Sequence, residues 1–152
     1  MRGLRSARGA ELIEMALILP LLLVIVAGII DFGFLFQRFV VLTNAAREGA
    51  RVAVLPGYLP VDGEGNPITT AIEGRVRDYV RDGLGEPTAN PGVFVTRDAL
   101  TAGFPAPVQL VRVRATLDYD YLILGPVAAL LGGNFDSITL EARATMRLEA
   151  GG

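Results

Sequence analysis

The sequence lacks the side chains on which most catalytic and metal-binding sites depend. Its 152 residues include no cysteine and no histidine. Without cysteine the chain has neither disulfides nor thiolate metal sites, and without histidine it lacks the commonest general base and the commonest metal ligand. We therefore expect that the protein is not an enzyme and that it uses no cofactor and no metal.

The sequence also lacks a large excess of charge of either sign. All 14 basic residues are arginines, the acidic residues number 16, and the formal net charge is −2. This balance does not indicate a basic surface for nucleic acid, so we expect no nucleic-acid partner. Hydrophobic residues, in contrast, make up 51% of the chain, which is more than a purely soluble domain usually carries. The length allows one modest domain and an additional helix.

The hydrophobic residues are concentrated in an uncharged run at positions 15–30. A helix over this run is about 24 Å long, and its extension to Phe36 is about 33 Å long, enough to cross a hydrocarbon core of about 30 Å. We therefore predict a single transmembrane helix over residues 10–36. An ordinary secretory signal peptide is a weaker interpretation, because the run is long for that class and acidic residues precede it.

One carboxylate interrupts the extension of this run, at Asp31. Four aromatic residues, which suit a membrane interface, lie in the same stretch: Phe32, Phe34, Phe36 and Phe39. We expect Asp31 to lie at that interface, where it either reaches into water or pairs with Arg38 two helical turns further along.

A second carboxylate, Glu14, lies at the start of the apolar segment, behind a basic leader that carries Arg2, Arg5 and Arg8. An unpaired charge costs about 2.5 kcal/mol or more at the membrane centre and less towards the interface, so we expect Glu14 to have a positive partner. This partner could be the free amino group that cleavage after Gly9 creates on a neighbouring copy of the chain. The leader arginines predict a cytoplasmic N-terminus.

Small residues recur beyond the membrane segment, in a predicted helical extension over residues 37–55. Ala45, Gly49 and Ala53 are spaced four apart, and small residues at that spacing let another backbone come close. The partner is either the sheet of the same chain or a helix of a neighbouring subunit.

Several N-terminal motifs together resemble the TadE-like family, the minor pilins or pseudopilins of the tight adherence (Tad) secretion system. The resemblance covers roughly the first third of the chain. It rests on Arg8-Gly9-Ala10, Glu14, Gly28-Ile29-Ile30-Asp31-Phe32-Gly33 and Thr43-Asn44-Ala45-Ala46-Arg47-Glu48-Gly49-Ala50-Arg51.

The resemblance implies cleavage between Gly9 and Ala10 by a prepilin peptidase, which would make Glu14 the fifth residue of the mature chain. It also implies an assembly role for Glu14 and, as partners, the membrane, other pilin-like subunits, the prepilin peptidase and the pilus assembly platform. Met15 stands where the major pilins of this system tend to have tyrosine, so we do not expect the major pilin.

The remaining residues, 56–152, predict a small α+β domain. A turn-rich loop leads to Thr70 and Glu73, which have the spacing of a capping box, and to a helix with the apolar face Ile72, Val76, Tyr79 or Val80, and Leu84. Its end is marked by Gly83, Gly85 and Pro87.

Two long runs of alternating residues, at 111–121 and 138–148, predict antiparallel strands that each have one buried face. We expect Val113, Leu117, Leu140 and Met146 to point inward, and a shorter strand to lie at 93–96. The apolar stretch 122–131 between the long strands is either a lid on the small core or an exposed patch that meets a partner, and we favour the lid.

A calcium loop is a further candidate, because Asp62, Glu64, Asn66 and Glu73 have the offsets of calcium ligands. Pro67, however, occupies the position at which such loops need glycine, and no helix precedes the loop. We favour a turn followed by a helix cap.

The predicted architecture is therefore a leader (1–9), a transmembrane helix (10–36), a helical extension (37–55) and an extracytoplasmic α+β domain (56–152). The long helix packs on the small antiparallel sheet, as in pilins. We predict a minor pilin of the bacterial inner membrane that primes or caps a Tad-type type IV pilus for surface adhesion. The alternative is an unprocessed single-pass membrane scaffold of a secretion or envelope complex.

Overall fold

The computed structural model describes residues 3–57, 59–64, 67–101, 108–130, 132–133 and 137–148. Arg2 of the leader, Asn66 of the calcium candidate and Leu131 of the apolar stretch lie outside these residues. The order of elements is helix α1 (Gly3–Ala53), helix α2 (Thr70–Leu84), strand β1 (Gly92–Leu100), strand β2 (Val108–Tyr119), helix α3 (Leu124–Leu130) and strand β3 (Ile138–Arg147).

The predicted fold class is confirmed: a long apolar N-terminal helix packs on a small antiparallel sheet in an α+β arrangement. The chain divides into two compact units. Unit 1 comprises Met1–Leu35 and Asp120–Ser137, and unit 2 comprises Phe36–Tyr119 and Ile138–Gly152. Helix α1 therefore contributes its first part to one unit and its last part to the other.

The sheet of unit 2 has three strands in the order β1-β2-β3, and both pairings are antiparallel. Along β2 the buried side chains alternate with more exposed ones, as the sequence predicts for a sheet with one wet face. Val113, Leu117 and Leu140 are buried, and Leu117 lies opposite Leu140. Met146 lies on the same face, opposite Val111, but it is only half-buried because the strand ends one residue later.

Two predictions about the sheet need correction. The first strand extends over Gly92–Leu100 rather than 93–96, because its backbone pairs with β2 along its whole length. This edge strand buries few side chains, so its apolar pattern is weak. The second correction concerns β2, which ends at Tyr119, before residue 121.

The core of unit 2 lies between α1, α2 and the sheet. The last part of α1 contributes Leu42, Ala45, Ala46, Ala50 and Ala53, and α2 contributes Ile72, Val76 and Val80; all eight side chains are fully buried. The predicted apolar face of α2 is thus confirmed at these three positions, whereas Tyr79 is exposed.

The predicted capping box at Thr70 is wrong. Helix α2 begins at Thr70, so Thr69 is the N-cap residue, and its side chain makes no capping hydrogen bond. Instead, the Thr69 hydroxyl donates to Oε1 of Glu73 at 2.6 Å, and the backbone N–H of Glu73 donates to the Thr69 carbonyl at 2.9 Å. Gly85 ends the helix in the left-handed conformation (φ 65°), which glycine adopts without steric cost.

The stretch after β2 groups with the first part of α1 and not with the sheet. Residues 120–137 belong to unit 1, together with the first part of α1. Within this stretch α3 forms one short helix over Leu124–Leu130. In unit 1 the small side chains of Ala27 and Ala128 are buried.

Candidate assembly site

The residues of the predicted cleavage site lie in the first turns of α1. Gly9 is half-buried and Ala10 is exposed. A Cβ atom added at Gly9 would meet no atom of another element within 4 Å. The fold therefore places no steric demand for glycine at this position, and a larger side chain there would not crowd another described element.

Glu14 lies among exposed apolar side chains. Its neighbours Leu12, Ile13, Met15 and Leu17 are between 63% and 76% exposed. Within the described part of the chain, no hydrogen bond or ion pair engages the Glu14 carboxylate. A carboxylate in such surroundings is stabilised most by a positive partner, because the apolar environment strengthens the attraction.

Helix α1 is long and apolar enough over Gly9–Ala53 to cross a membrane, and its most apolar window is almost entirely unburied within the chain. A core helix of a soluble protein would have this surface covered. The exposed surface continues around the helix, with Leu17, Leu21, Leu23 and Ile25 all at least half exposed.

The predicted packing residues of the helical extension lie inside unit 2. Ala45 and Ala53 are fully buried. At Gly49, an added Cβ would come within 2.5 Å of Cγ2 of Val76 in α2 and 3.3 Å of Cγ1 of Val113 in β2. At Gly49, therefore, the chain's own α2 and sheet come close to the helix.

A charged cluster joins α1 to α2 at the surface of unit 2. Glu48 accepts hydrogen bonds from Nε and Nη2 of Arg51 at 2.8 and 2.9 Å, and from Nη2 of Arg75 at 3.3 Å. The hydrogen bonds from Arg51 lower the pKa of Glu48 from 4.5 to about 2; partial burial opposes this shift, and the bond from Arg75 adds to it. Glu48 is therefore ionised at any physiological pH.

Arg38 forms an ion pair with Glu86. Its Nη2 atom lies 2.5 Å from Oε1 of Glu86, and its guanidinium lies over the ring of Tyr119, 5.4 Å from the centroid. These contacts hold α1 to the loop after α2 and to the end of β2. No sequence pattern indicates Glu86 as the partner, because a long-range ion pair has no periodicity.

Asp31 is fully buried, so the expectation of an interfacial side chain that reaches into water is wrong. Its Oδ1 accepts hydrogen bonds from the backbone N–H groups of Leu122 and Ile123 at 3.0 and 3.1 Å. Its Oδ2 accepts from those of Ile123 and Leu124 at 3.1 and 2.6 Å. The carboxylate thus caps the start of α3 from another element.

Two sequence signals could have indicated this contact. The residues before α3 are Tyr121, Leu122 and Ile123, none of which is a capping residue, so the helix needs an acceptor from elsewhere. Asp31, in turn, is a carboxylate in an apolar segment that needs donors. Neither signal alone indicates that Asp31 is the acceptor for the N–H groups at the start of α3.

The calcium candidate gains no support from the described residues. Among them, no group of three or more acidic side chains is placed to hold a metal ion. Asp62 instead accepts a hydrogen bond from the backbone N–H of Glu64 at 2.9 Å, which is a local turn contact. Glu73 bonds to Thr69 and to Arg77.

Comparison with protein families decides the class of the N-terminal segment. The family model of the TadE-like protein matches residues 9–51. This segment is similar to TadE-like proteins. The resemblance predicted from the sequence is thereby confirmed, and the match includes Gly9, Glu14, Asp31 and Gly49. No curated protein and no solved structure matches the chain.

A TadE-like domain fits a pilin-like protein associated with the Tad pilus. The family is a structural component of the pilus and is not known for enzymatic activity. The single apolar N-terminal helix of this chain fits a single-pass membrane protein with pilin-like partners. The domain ends at residue 51, close to the end of α1, and so does not include the sheet.

Proposed function

We propose that the protein is a minor pilin that is cut between Gly9 and Ala10, inserts with its N-terminus in the cytoplasm, and assembles with other pilin-like subunits. In this role it primes or caps a Tad-type pilus for surface adhesion. Residues 1–9 are the leader, residues 10–36 span the inner membrane, residues 37–55 extend the helix, and residues 56–152 form the extracytoplasmic domain.

The observation that carries the proposal is the position of Glu14. Its exposed carboxylate lies on an apolar helix whose surface the chain leaves uncovered. The arginines of the leader are potential partners before cleavage, but cleavage removes them. The new amino group of Ala10 on a neighbouring subunit then provides a positive charge about one helical turn away from Glu14.

Small residues contribute to the proposal in a different way. The row Ala45, Gly49 and Ala53 serves the chain's own fold at Gly49, where α2 and β2 come close. Assembly with neighbouring subunits would then depend on the uncovered apolar surface before residue 36, where lipid and other helices compete for the same side chains.

The proposal is tested by the mass of the mature chain. In cells that contain the matching prepilin peptidase, we expect the purified protein to have lost residues 1–9 and to begin at Ala10. Gly9→Val should block this cleavage, because the larger side chain hinders the approach of the peptidase at the scissile bond.

The control is Gly33→Val, which places the same side chain on an exposed part of α1 and should leave cleavage unchanged. If only the full-length chain is recovered from peptidase-positive cells, processing does not occur. The protein would then fit the alternative function, an unprocessed single-pass scaffold of a membrane complex.

A further inference from the structure

Helix α3 and its flanks form an uncharged apolar segment, here called the α3 segment (121–133). It contains no Asp, Glu or Arg. Leu122 is 61% exposed, and Pro126 and Ala129 are also exposed, whereas Ala128 is buried. The segment thus has one side covered within unit 1 and an apolar side that the chain leaves uncovered.

The backbone at the start of the α3 segment is satisfied without water. The first N–H groups of a helix have no partner in the helix itself. Here the N–H groups of Leu122, Ile123 and Leu124 all donate to the buried carboxylate of Asp31, at 2.6 to 3.1 Å. The carboxylate in turn obtains the donors that it needs in apolar surroundings.

The backbone at the end of α3 is also closed. The N–H of Gly132 donates to the carbonyl of Ala129 at 3.2 Å, and the N–H of Gly133 donates to that of Ala128 at 2.8 Å. Gly132 has a positive φ of 77°, so the two bonds form the glycine-dependent end of a helix known as a Schellman motif. Each end of α3 therefore has backbone groups that are hydrogen-bonded within the chain.

Such closure is what hydrocarbon demands of a non-spanning segment, because an unsatisfied backbone group there costs several kcal/mol. Helices in water commonly end in the same way, so this closure permits contact with hydrocarbon but does not by itself require it. The position of Asp31 along α1 also agrees with a place near the membrane boundary. Asp31 lies five residues before the end of the proposed membrane segment 10–36, which is about 7.5 Å along a helix. Its partner groups at the start of α3 lie within hydrogen-bond distance of it.

We propose that the α3 segment is a second membrane contact. It lies in the outer boundary between acyl chains and headgroups, with Leu122 towards the lipid, and Asp31 fixes it at that depth. The exposed Leu122 belongs to the same unit as the exposed apolar side chains of the first part of α1. This inference rests on the membrane insertion of α1 but not on its cleavage or on pilus assembly.

The chain contains no tryptophan, so single tryptophan substitutions report on single sites. The full chain carrying Leu122→Trp is reconstituted in phosphatidylethanolamine and phosphatidylglycerol vesicles, with and without lipids brominated near the headgroup end of the acyl chain. We expect blue-shifted emission and loss of most of the fluorescence with brominated lipid. Phe94→Trp, on the exposed face of the sheet, should keep water-like, unquenched emission.

Asp31→Asn tests whether the carboxylate of Asp31 holds the start of α3 in place. The amide offers one acceptor oxygen and brings two N–H donors towards backbone groups that are themselves donors. In the Asp31→Asn variant, the emission of Leu122→Trp should shift toward the red, and brominated lipid should no longer quench most of it. Asp118→Asn, a carboxylate on the sheet, should change neither reading.

A third probe separates the inference from the membrane insertion on which it rests. Leu21→Trp, an exposed site within the apolar run, should be quenched by lipids brominated deeper in the chain. If it is quenched but Leu122→Trp emits as in water, the inference is wrong although α1 is inserted. Blue-shifted but unquenched emission from Leu122→Trp would show a protein partner and would also overturn it. If Leu21→Trp is itself unquenched, insertion and inference both fail.

Discussion

The two parts of helix α1 differ in what covers their side chains. Before residue 36 the apolar side chains are largely exposed, with Leu17 at 76% and Phe32 at 67%. After residue 36, Leu42, Ala45 and Ala50 are completely buried. One continuous helix therefore carries a surface that the chain leaves uncovered and a surface that its own α2 and sheet cover.

The residues explain the difference. The covered part uses alanine and glycine where other elements come close, as at Gly49, and its charged side chains, such as Arg38 and Glu48, form ion pairs within unit 2. In the uncovered part, a Cβ atom added at Gly28 or Gly33 would meet no atom of another element within 4 Å. Glycine thus marks close packing in one part of the helix and not in the other.

The largest effect is expected from a substitution that disrupts the core beneath the covered part of α1. Leu140→Asp places a charge at a buried position opposite Leu117, and an uncompensated buried charge costs about 3–5 kcal/mol. We expect unit 2 to unfold, as measured by circular dichroism during thermal or denaturant unfolding in detergent. Arg143→Ala, three residues further on the exposed face, should change stability by less than about 0.5 kcal/mol. Equal damage from both would mean that the sheet faces are assigned wrongly.

A matched pair of glycine substitutions compares the two parts directly. Gly49→Leu must displace Val76 and Val113, whose side chains an added Cβ would already crowd at 2.5 and 3.3 Å. Overpacking of this kind costs about 1–3 kcal/mol. Gly33→Leu meets open space and should leave the denaturation midpoint of unit 2 unchanged. A similar loss from both substitutions would contradict the division of the helix.

The smallest expected effect concerns the Glu48 cluster. A pKa lowered to about 2 means that ionised Glu48 stabilises the fold above its ordinary pKa of 4.5, and that this stabilisation is lost as the pH falls towards 2. Glu48→Gln should therefore destabilise unit 2 by up to about 1 kcal/mol at neutral pH, since the arginine partners are exposed. The difference should fade below pH 4.5. A difference that is constant with pH would exclude this linkage.

Local patterns predicted much of unit 2. The alternation along β2 and β3 identified Val113, Leu117 and Leu140 as buried, because a strand with one wet face repeats every second residue. The edge strand β1 was predicted too short, because it is held by backbone pairing and its side chains carry little of that signal.

Long-range polar contacts could not be predicted in the same way. Asp31 bonds to groups more than 90 positions away, and Arg38 bonds to Glu86 at a separation of 48. No spacing in the sequence encodes either contact. The TadE-like motifs identified the segment 9–51, but they did not reveal that Asp31 is buried beneath α3.

We propose that the uncovered part of α1 assembles with other pilin-like subunits through Glu14. The chain has no cysteine, so Leu17→Cys introduces a single thiol three residues from Glu14. In membranes of piliated cells, a thiol-to-amine crosslinker should yield adducts of this variant with other pilin-like subunits, identified by mass spectrometry. Adding Glu14→Gln, which keeps the shape but removes the charge, should abolish them while insertion and cleavage after Gly9 persist. Undiminished adducts with Glu14→Gln, or none with Leu17→Cys alone, would contradict the claim.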